Sequence, residues 1–391
     1  MIFLDLGYQP LANEYLKNTN SKEKKYRLLV DFNKKSKIVS IKKKFSSKKM
    51  FKNNYPYRSS MSKTMTQSFK TFAKDLKKKF KKKKILEIGC NDGVFLENFK
   101  KSFSLGIEPC SNIAQLSKKR GLDVIIEYWN RRTALKIRKK YGYFDLIYSA
   151  NTITHIKNLN DVFKSINLVL SDNGTLIIQD PSMLELLKKN AYDQFYNEHI
   201  YVFSYVSLSK LLDKHNLYIY KIKNISEHGG SIRYFIKKKI SKKKIDNSVK
   251  IQLKREIKFG LKKFNTYKKF GFDVNKSKNN LKNILANLRK LNKKVIGYGA
   301  TAKAVTVLNY CNIGNDIIKF FYDTTPEKHN KFIPGVKIPV KKYRILNTKE
   351  VDYAFLGAWN FKKEIFQKEK KFLKSGGKFI THIPKPRILS Y

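Results

Sequence analysis

Two acids and two glycines at fixed spacing carry the clearest chemistry in this chain. Glu87 lies in the short apolar run Ile85-Leu86-Glu87-Ile88, and Gly89-Cys90-Asn91-Asp92-Gly93 follows at once. Glycines let a backbone come close to a bound molecule. An acid two residues ahead of them offers charged acceptors to a cationic group. Glu108 ends Ser104-Leu105-Gly106-Ile107-Glu108, about 20 residues on, where nucleotide-binding units place an acid for ribose hydroxyls. His155 ends Asn151-Thr152-Ile153-Thr154-His155, and His199 ends Tyr196-Asn197-Glu198-His199. Histidine changes charge near neutral pH, which suits it to moving protons. Ser231 and Arg233 follow Glu227-His228-Gly229-Gly230, where they are candidates to hold a phosphate. A second glycine loop, Gly297-Tyr298-Gly299-Ala300-Thr301-Ala302-Lys303, has Asp323 after it. By pattern alone it is a dinucleotide loop with its distal acid.

The elements that must position these residues alternate strand and helix. Ile85–Ile88 reads as a buried parallel strand. Val94, Phe95, Leu96 and Phe99 follow at helical spacing, giving strand, glycine turn and helix. Phe144–Ala150 is a strand that delivers Asn151 and His155 to the carboxyl edge of the sheet, where open α/β sheets bind ligands. Gly174–Asp180 is the next strand. Residues 1–75 read as a small α+β cap with a turn-rich opening and strands over Tyr26–Phe32 and Lys37–Ile41. Residues 76–237 form the first Rossmann-like domain. Residues 238–292 form a lysine-rich helical connector broken at Gly260 and Gly271, and 293–391 a second, small doubly wound domain.

Composition bounds the rest. A chain of 391 residues exceeds one average core. It has no apolar run long enough to cross a membrane, and its first residues lack the charged start and apolar core of a signal peptide. Cys90, Cys110 and Cys311 lie far apart, which suggests neither disulfides nor a thiolate metal site and fits a reduced cytoplasm. The net charge of +54 argues by itself for an anionic polymer partner. The excess is spread over the whole chain, runs such as Lys77–Lys79, Lys81–Lys84 and Lys242–Lys244 read as solvated faces, and no nucleic-acid recognition motif is present.

The first loop resembles the opening motif of class I S-adenosylmethionine (SAM) methyltransferases. In order, Pro-Leu-Ala-Asn (10–13), Tyr-Pro-Tyr-Arg-Ser-Ser (55–60), Leu-Glu-Ile-Gly-Cys-Asn-Asp-Gly (86–93), Gly-Ile-Glu-Pro (106–109), Tyr-Asn-Glu-His (196–199), Glu-His-Gly-Gly-Ser-Ile-Arg (227–233), Gly-Tyr-Gly-Ala-Thr-Ala-Lys (297–303) and Pro334-Gly335 resemble the SAM-dependent C-methyltransferases of nucleotide-linked 4-keto-deoxysugars. The resemblance spans nearly the whole chain. It implies an α/β fold with a class I methyltransferase domain, an amino-terminal cap and a second Rossmann-like domain. It implies SAM at Glu87, Gly89, Asn91, Asp92, Gly93, Glu108 and Asn151. It implies His199 as the base that removes the proton beside the substrate ketone, with Glu198 orienting or tuning it. Tyr196, Tyr57 and His155 would line the substrate pocket. Ser231, Arg233, Gly299, Thr301 and Lys303 would hold the nucleotide sugar, so that the second glycine loop needs no second cofactor. The family's small zinc domain holds two pairs of cysteines. Here Asn33 and Ser36 stand in the places of the second pair, so no zinc is expected. The competing readings are an O- or N-directed methyltransferase, an NAD-dependent nucleotide-sugar oxidoreductase, and a binding protein without activity. Neither the identity of the sugar nor the oligomeric state is legible.

Overall fold

The computed structural model describes residues 1–80 and 83–391; Lys81 and Lys82, in the lysine run ahead of the first glycine loop, lie outside the described residues. Strands β1 (Ile2–Gln9), β2 (Tyr26–Phe32) and β3 (Val39–Ile41) make an antiparallel meander in the cap. The opening expected to be turn-rich is therefore a strand. Its register shifts between Asp5 and Tyr8, with Gly7 at φ 70°, and such a break hides the period of two that marks a strand. Asn33 shapes the β2–β3 turn: its Oδ1 accepts from the amides of Lys35 (3.0 Å) and Ser36 (2.9 Å). A side-chain acceptor thus holds this turn.

The middle of the chain supplies β4 (Ile85–Ile88), β5 (Ser104–Ile107), β6 (Asp123–Ile125), β7 (Phe144–Ala150), β8 (Leu170–Pro181), β9 (Tyr201–Val202), β10 (Leu217–Ile225) and β11 (Ser231–Lys238). Seven of them form one sheet in the order β10-β11-β8-β7-β4-β5-β6. β4 to β8 run parallel, and β11 enters antiparallel between β8 and β10. The strand order reverses at β4, so the crevice for a ligand opens between the carboxyl ends of β4 and β7. The helix expected after the first loop is only a 3-10 turn, Leu96–Phe99. The Asn98 side-chain amide donates to the carbonyls of Val94 and Phe95, both at 3.0 Å, which competes with helix bonding. β9 leaves this sheet and pairs with β3, so the segment carrying Glu198 and His199 is fastened to the cap.

Two helices, Asn247–Phe259 and Phe264–Lys290, make the connector. Gly260 ends the first in a left-handed conformation, as expected. Gly271 breaks nothing: it lies inside the long helix, where a Cβ would run into the carbonyl of Phe3. The final part contributes β12 (Val295–Tyr298), β13 (Phe321–Asp323), β14 (Lys331–Phe332), β15 (Pro339–Lys342), β16 (Tyr353–Leu356), β17 (Lys378–Thr381) and β18 (Arg387–Leu389), ordered β14-β15-β13-β12-β16-β17-β18. Its five central strands are parallel and both edges antiparallel.

The three sheets close on one another. One apolar cluster includes Phe3, Ile88, Phe195 and Phe355. Leu16 exchanges backbone hydrogen bonds with Phe332, the Tyr15 hydroxyl donates to the carbonyl of Ala300 at 2.5 Å, and Arg58 pairs with Glu327. No helix among the described residues is long and apolar enough to cross a membrane.

Candidate active site

One cavity of about 210 Å³ runs from the first glycine loop, past His155 and His199, to Thr301 and Lys303 in the carboxyl-terminal part. At the glycine-loop end, Glu87, Gly89, Asn91 and Glu108 line it, with Asn151 from the end of β7. Gly89 and Gly93 both have φ near +80°, but for different reasons of space. A Cβ on Gly89 would overlap the Thr152 side chain across the crevice, and one on Gly93 would overlap Leu122. Gly93 and Asp92 do not line the cavity. Asp92 is buried and accepts from the Ser60 amide at 3.2 Å. Asn91 ties the cap over the loop: its Oδ1 accepts from Ser59 N (2.8 Å) and its amide donates to the Tyr57 carbonyl (3.3 Å).

The electrostatics of this end suit a cation. Burial pushes Glu87 well above the usual carboxylate range, and Asp92 and Glu108 push the same way. Glu87 Oε2 is buried without a partner. A chain of net charge +54 thus keeps an acidic lobe with an open acceptor at the mouth of its glycine turn. A ligand with positive charge and nucleoside hydroxyls meets both needs. Glu108 is already engaged, accepting from the amides of Asn91 (3.1 Å) and Cys110 (2.9 Å). It therefore shapes the loop while standing at the cavity wall.

The middle of the cavity holds the proton-transfer candidates. His199 Nδ1 lies 2.7 Å from the Gln194 carbonyl, which can only accept, so Nδ1 carries the hydrogen. That leaves Nε2 to accept from the Tyr196 hydroxyl at 2.5 Å. Burial, then the neighbouring His155, pull His199 well below the ordinary histidine value, so it is neutral at pH 7. His155 stacks on His199 with centroids 5.0 Å apart and on Phe51 at 5.6 Å. Burial pulls it down to about 3, and its Nε2 has no partner. Tyr57 stands at the rim, 38% exposed. Glu198 departs from its expected part. It does not line this cavity, and its oxygens accept from Asn13 and Tyr55, both at 2.8 Å. The group that orients His199 is the Gln194 carbonyl, which no motif announces.

At the far end Lys303 is buried, with Nζ 3.3 Å from Asn360 Oδ1, and burial lowers it to about 8. Thr301 caps the helix Ala302–Cys311, its hydroxyl donating to the Gly357 carbonyl at 2.8 Å. Gly299 serves packing, since a Cβ there would meet Ala358. His228 also lines this end, and its Nε2 is unpartnered. Ser231 and Arg233 do not reach the cavity. The Ser231 hydroxyl donates to the Glu227 carbonyl (2.9 Å), and the Arg233 guanidinium lies over Phe72 and donates to Gln179 (2.7 Å) and Ser68 (3.2 Å). Pairing of β11 with β8 buries both side chains in the sheet. Asp323, the acid expected of a dinucleotide loop, is occupied by Lys328 Nζ (3.3 Å) and the Thr325 amide (2.8 Å).

The carboxyl-terminal part also holds the segment that carries His199. Trp359 Nε1 donates to Asp193 Oδ2 at 2.5 Å, His382 Nε2 lies 3.1 Å from the same oxygen, and Asp193 and His382 are fully buried. Asp193 immediately precedes Gln194. We expect Trp359→Phe, which keeps a ring and removes the donor, to lower kcat by roughly tenfold to a hundredfold. S-adenosylhomocysteine affinity, read by calorimetry, should stay within about twofold. A matching loss of that affinity would mean that the fold, not the aim of His199, had given way.

Strand order, glycine loop and acidic lobe define a class I SAM-dependent methyltransferase. Residues 57–222 match the family model for a methyltransferase domain, and residues 226–384 that for a C-methyltransferase C-terminal domain. The C-methyltransferase NovU of Streptomyces niveus is 30% identical over 308 residues, 78% of this chain and 73% of that protein. The protein belongs to the SAM-dependent C-methyltransferase family. Solved structures similar to it include a SAM-dependent methyltransferase, possible histamine N-methyltransferase, of Thermotoga maritima. It is 20% identical, covers 44% of this chain and 86% of its own, and has a TM-score of 0.33. The CcbJ methyltransferase of Streptomyces caelestis is 8% identical, covers 44% and 89%, and has a TM-score of 0.35.

Proposed function

We propose that the protein methylates the carbon beside the ketone of a nucleotide-linked 4-keto-deoxysugar. The observation that carries this reading is that the acidic glycine-loop end, the neutral Tyr196–His199 pair and Lys303 share one cavity. Bound SAM supplies an electrophilic methyl group on a sulfonium. The chain supplies the rest. His199 Nε2, kept neutral by burial, takes the acidic proton directly or through the Tyr196 hydroxyl. On this reading the Nε2 of His155, buried without a partner at the cavity, bonds the ketone oxygen as it gains charge, with Tyr57 at the rim. Lys303, at the start of a helix, meets the diphosphate. On this reading 293–391 is the nucleotide-sugar domain, and the enzyme works in the cytoplasm. Three free, buried cysteines agree with that compartment. The engagement of Asp323 by Lys328 disfavours the NAD-dependent alternative.

Calorimetric titration with S-adenosylhomocysteine and with thymidine diphosphate tests the reading. Binding of both is expected, with Lys303→Ala weakening the second alone. Failure of thymidine diphosphate and uridine diphosphate alike to bind would overturn the nucleotide-sugar assignment.

A further inference from the structure

Beside the main cavity lies a smaller one of about 80 Å³. Asn13 and Tyr55 line both, whereas Glu198 lines only the smaller. Glu198 is 3% exposed. Its Oε2 accepts from the Tyr55 hydroxyl and its Oε1 from the Asn13 amide, both at 2.8 Å. The small cavity then reaches Glu14 and Lys52, whose paired side chains are about half exposed. Tyr55 and Asn13 thus form part of the wall between the two cavities, with the Glu198 carboxyl bonded to both from the side of the small one.

The proposed reaction, on which this inference rests, leaves a proton behind. The electron pair of the substrate C–H bond becomes the new C–C bond, the pair of the sulfonium S–CH3 bond stays on sulfur, and one proton per turnover remains on His199 or Tyr196. We propose that Tyr55 and Glu198 carry this proton from the catalytic cavity into the small cavity and out to solvent. The Tyr55 hydroxyl gives its hydrogen to Glu198 Oε2 and takes one from a water in the main cavity, which has taken the proton from His199 or Tyr196. Glu198 releases the proton to water in the small cavity. Asn13 keeps the carboxyl in line. Burial raises Glu198 to about 7 against the pull of its Tyr55 and Asn13 hydrogen bonds, so near neutrality it both takes and gives a proton. The titratable groups around it are Tyr55, Tyr196 and Cys110 toward the main cavity and Glu14, Tyr15, Lys49, Lys52, Glu327 and Lys331 along the small one.

The test uses full-length protein, SAM and a thymidine-diphosphate 4-keto-6-deoxyhexose. Wild-type protein that methylates nothing would defeat the proposed reaction itself. With an active wild type, Glu198→Ala should lower steady-state kcat by about tenfold or more. Single-turnover methyl transfer should fall less. Raising imidazole concentration should restore much of the loss, because the shortened side chain opens the small cavity to buffer. Glu198→Gln, which keeps the shape, should be slow and unrescued, and so should Tyr55→Phe. An unchanged kcat in Glu198→Gln, or a loss in Glu198→Ala that no buffer concentration restores, would overturn the proposal.

Discussion

His199→Ala is expected to bind S-adenosylhomocysteine as the wild type does and to lose turnover by about two to four orders of magnitude. The reasoning starts from the tautomer. The Gln194 carbonyl fixes the hydrogen on Nδ1, so Nε2 holds the free electron pair, 2.5 Å from the Tyr196 hydroxyl. Removing the imidazole removes the proton acceptor and leaves the glycine-loop end untouched. The matching experiment is exchange of the substrate's ring proton with deuterated water, followed by NMR. The variant should show none; retained exchange would sink the assignment. The wild type carries a second signature. Burial and His155 hold His199 well below its ordinary value of 6.5, and the base works only when neutral. The acid limb of kcat/KM should therefore lie below pH 6.5, activity falling only as pH drops through the lowered value. A limb at or above 6.5 would mean that a different group is the base.

Gly89→Ala should cost both stability and cofactor affinity. At φ 74° an alanine carries about 1–2 kcal/mol of left-handed strain. Its Cβ would also overlap Thr152, and such overpacking costs about 1–3 kcal/mol. Because Gly89 forms cavity wall, the relief shifts the loop. A shift worth 1.4 kcal/mol in binding is a tenfold loss, so S-adenosylhomocysteine affinity should fall about tenfold or more. Gly93→Ala is the control. It has a similar φ of 82°, but it presses on Leu122 in the core and does not line the cavity. It should lower the unfolding temperature with a smaller loss of affinity. Equal affinity losses in the two variants would show that loop strain in general, not contact across the crevice, sets cofactor binding.

The sequence carries the strands and several of the residues that line the cavity. Ile85–Ile88 and Tyr26–Phe32 are strands over the expected residues, because short apolar runs bounded by turns leave few alternatives. Glu87, Gly89 and Glu108 stand at one cavity because strand ends in a parallel sheet converge; Tyr196 and His199 reach the same cavity on the segment that β9 fastens to the cap. What escaped the sequence depends on contacts between distant residues. Glu198 follows Asn197 and precedes His199, yet its carboxyl points to Asn13 and Tyr55; adjacency along the chain says nothing of shared direction. Arg233 follows a ligand-like glycine turn, but the antiparallel pairing of β11 buries it against Phe72. Gln194 orients the His199 ring with a main-chain carbonyl, which any residue type would supply.

The contact between Trp359 and Asp193 bears on how this protein can change by recombination. Trp359 also fills the space that a side chain at position 229 would need. The amino-terminal and carboxyl-terminal portions are therefore not interchangeable cassettes. A chimera that joins the amino-terminal portion to a carboxyl-terminal portion from a distant relative would keep its methyl-donor lobe whole and lose the aim of its base. Position 359 and positions 193 and 229 are therefore expected to change together, one on each side of that seam.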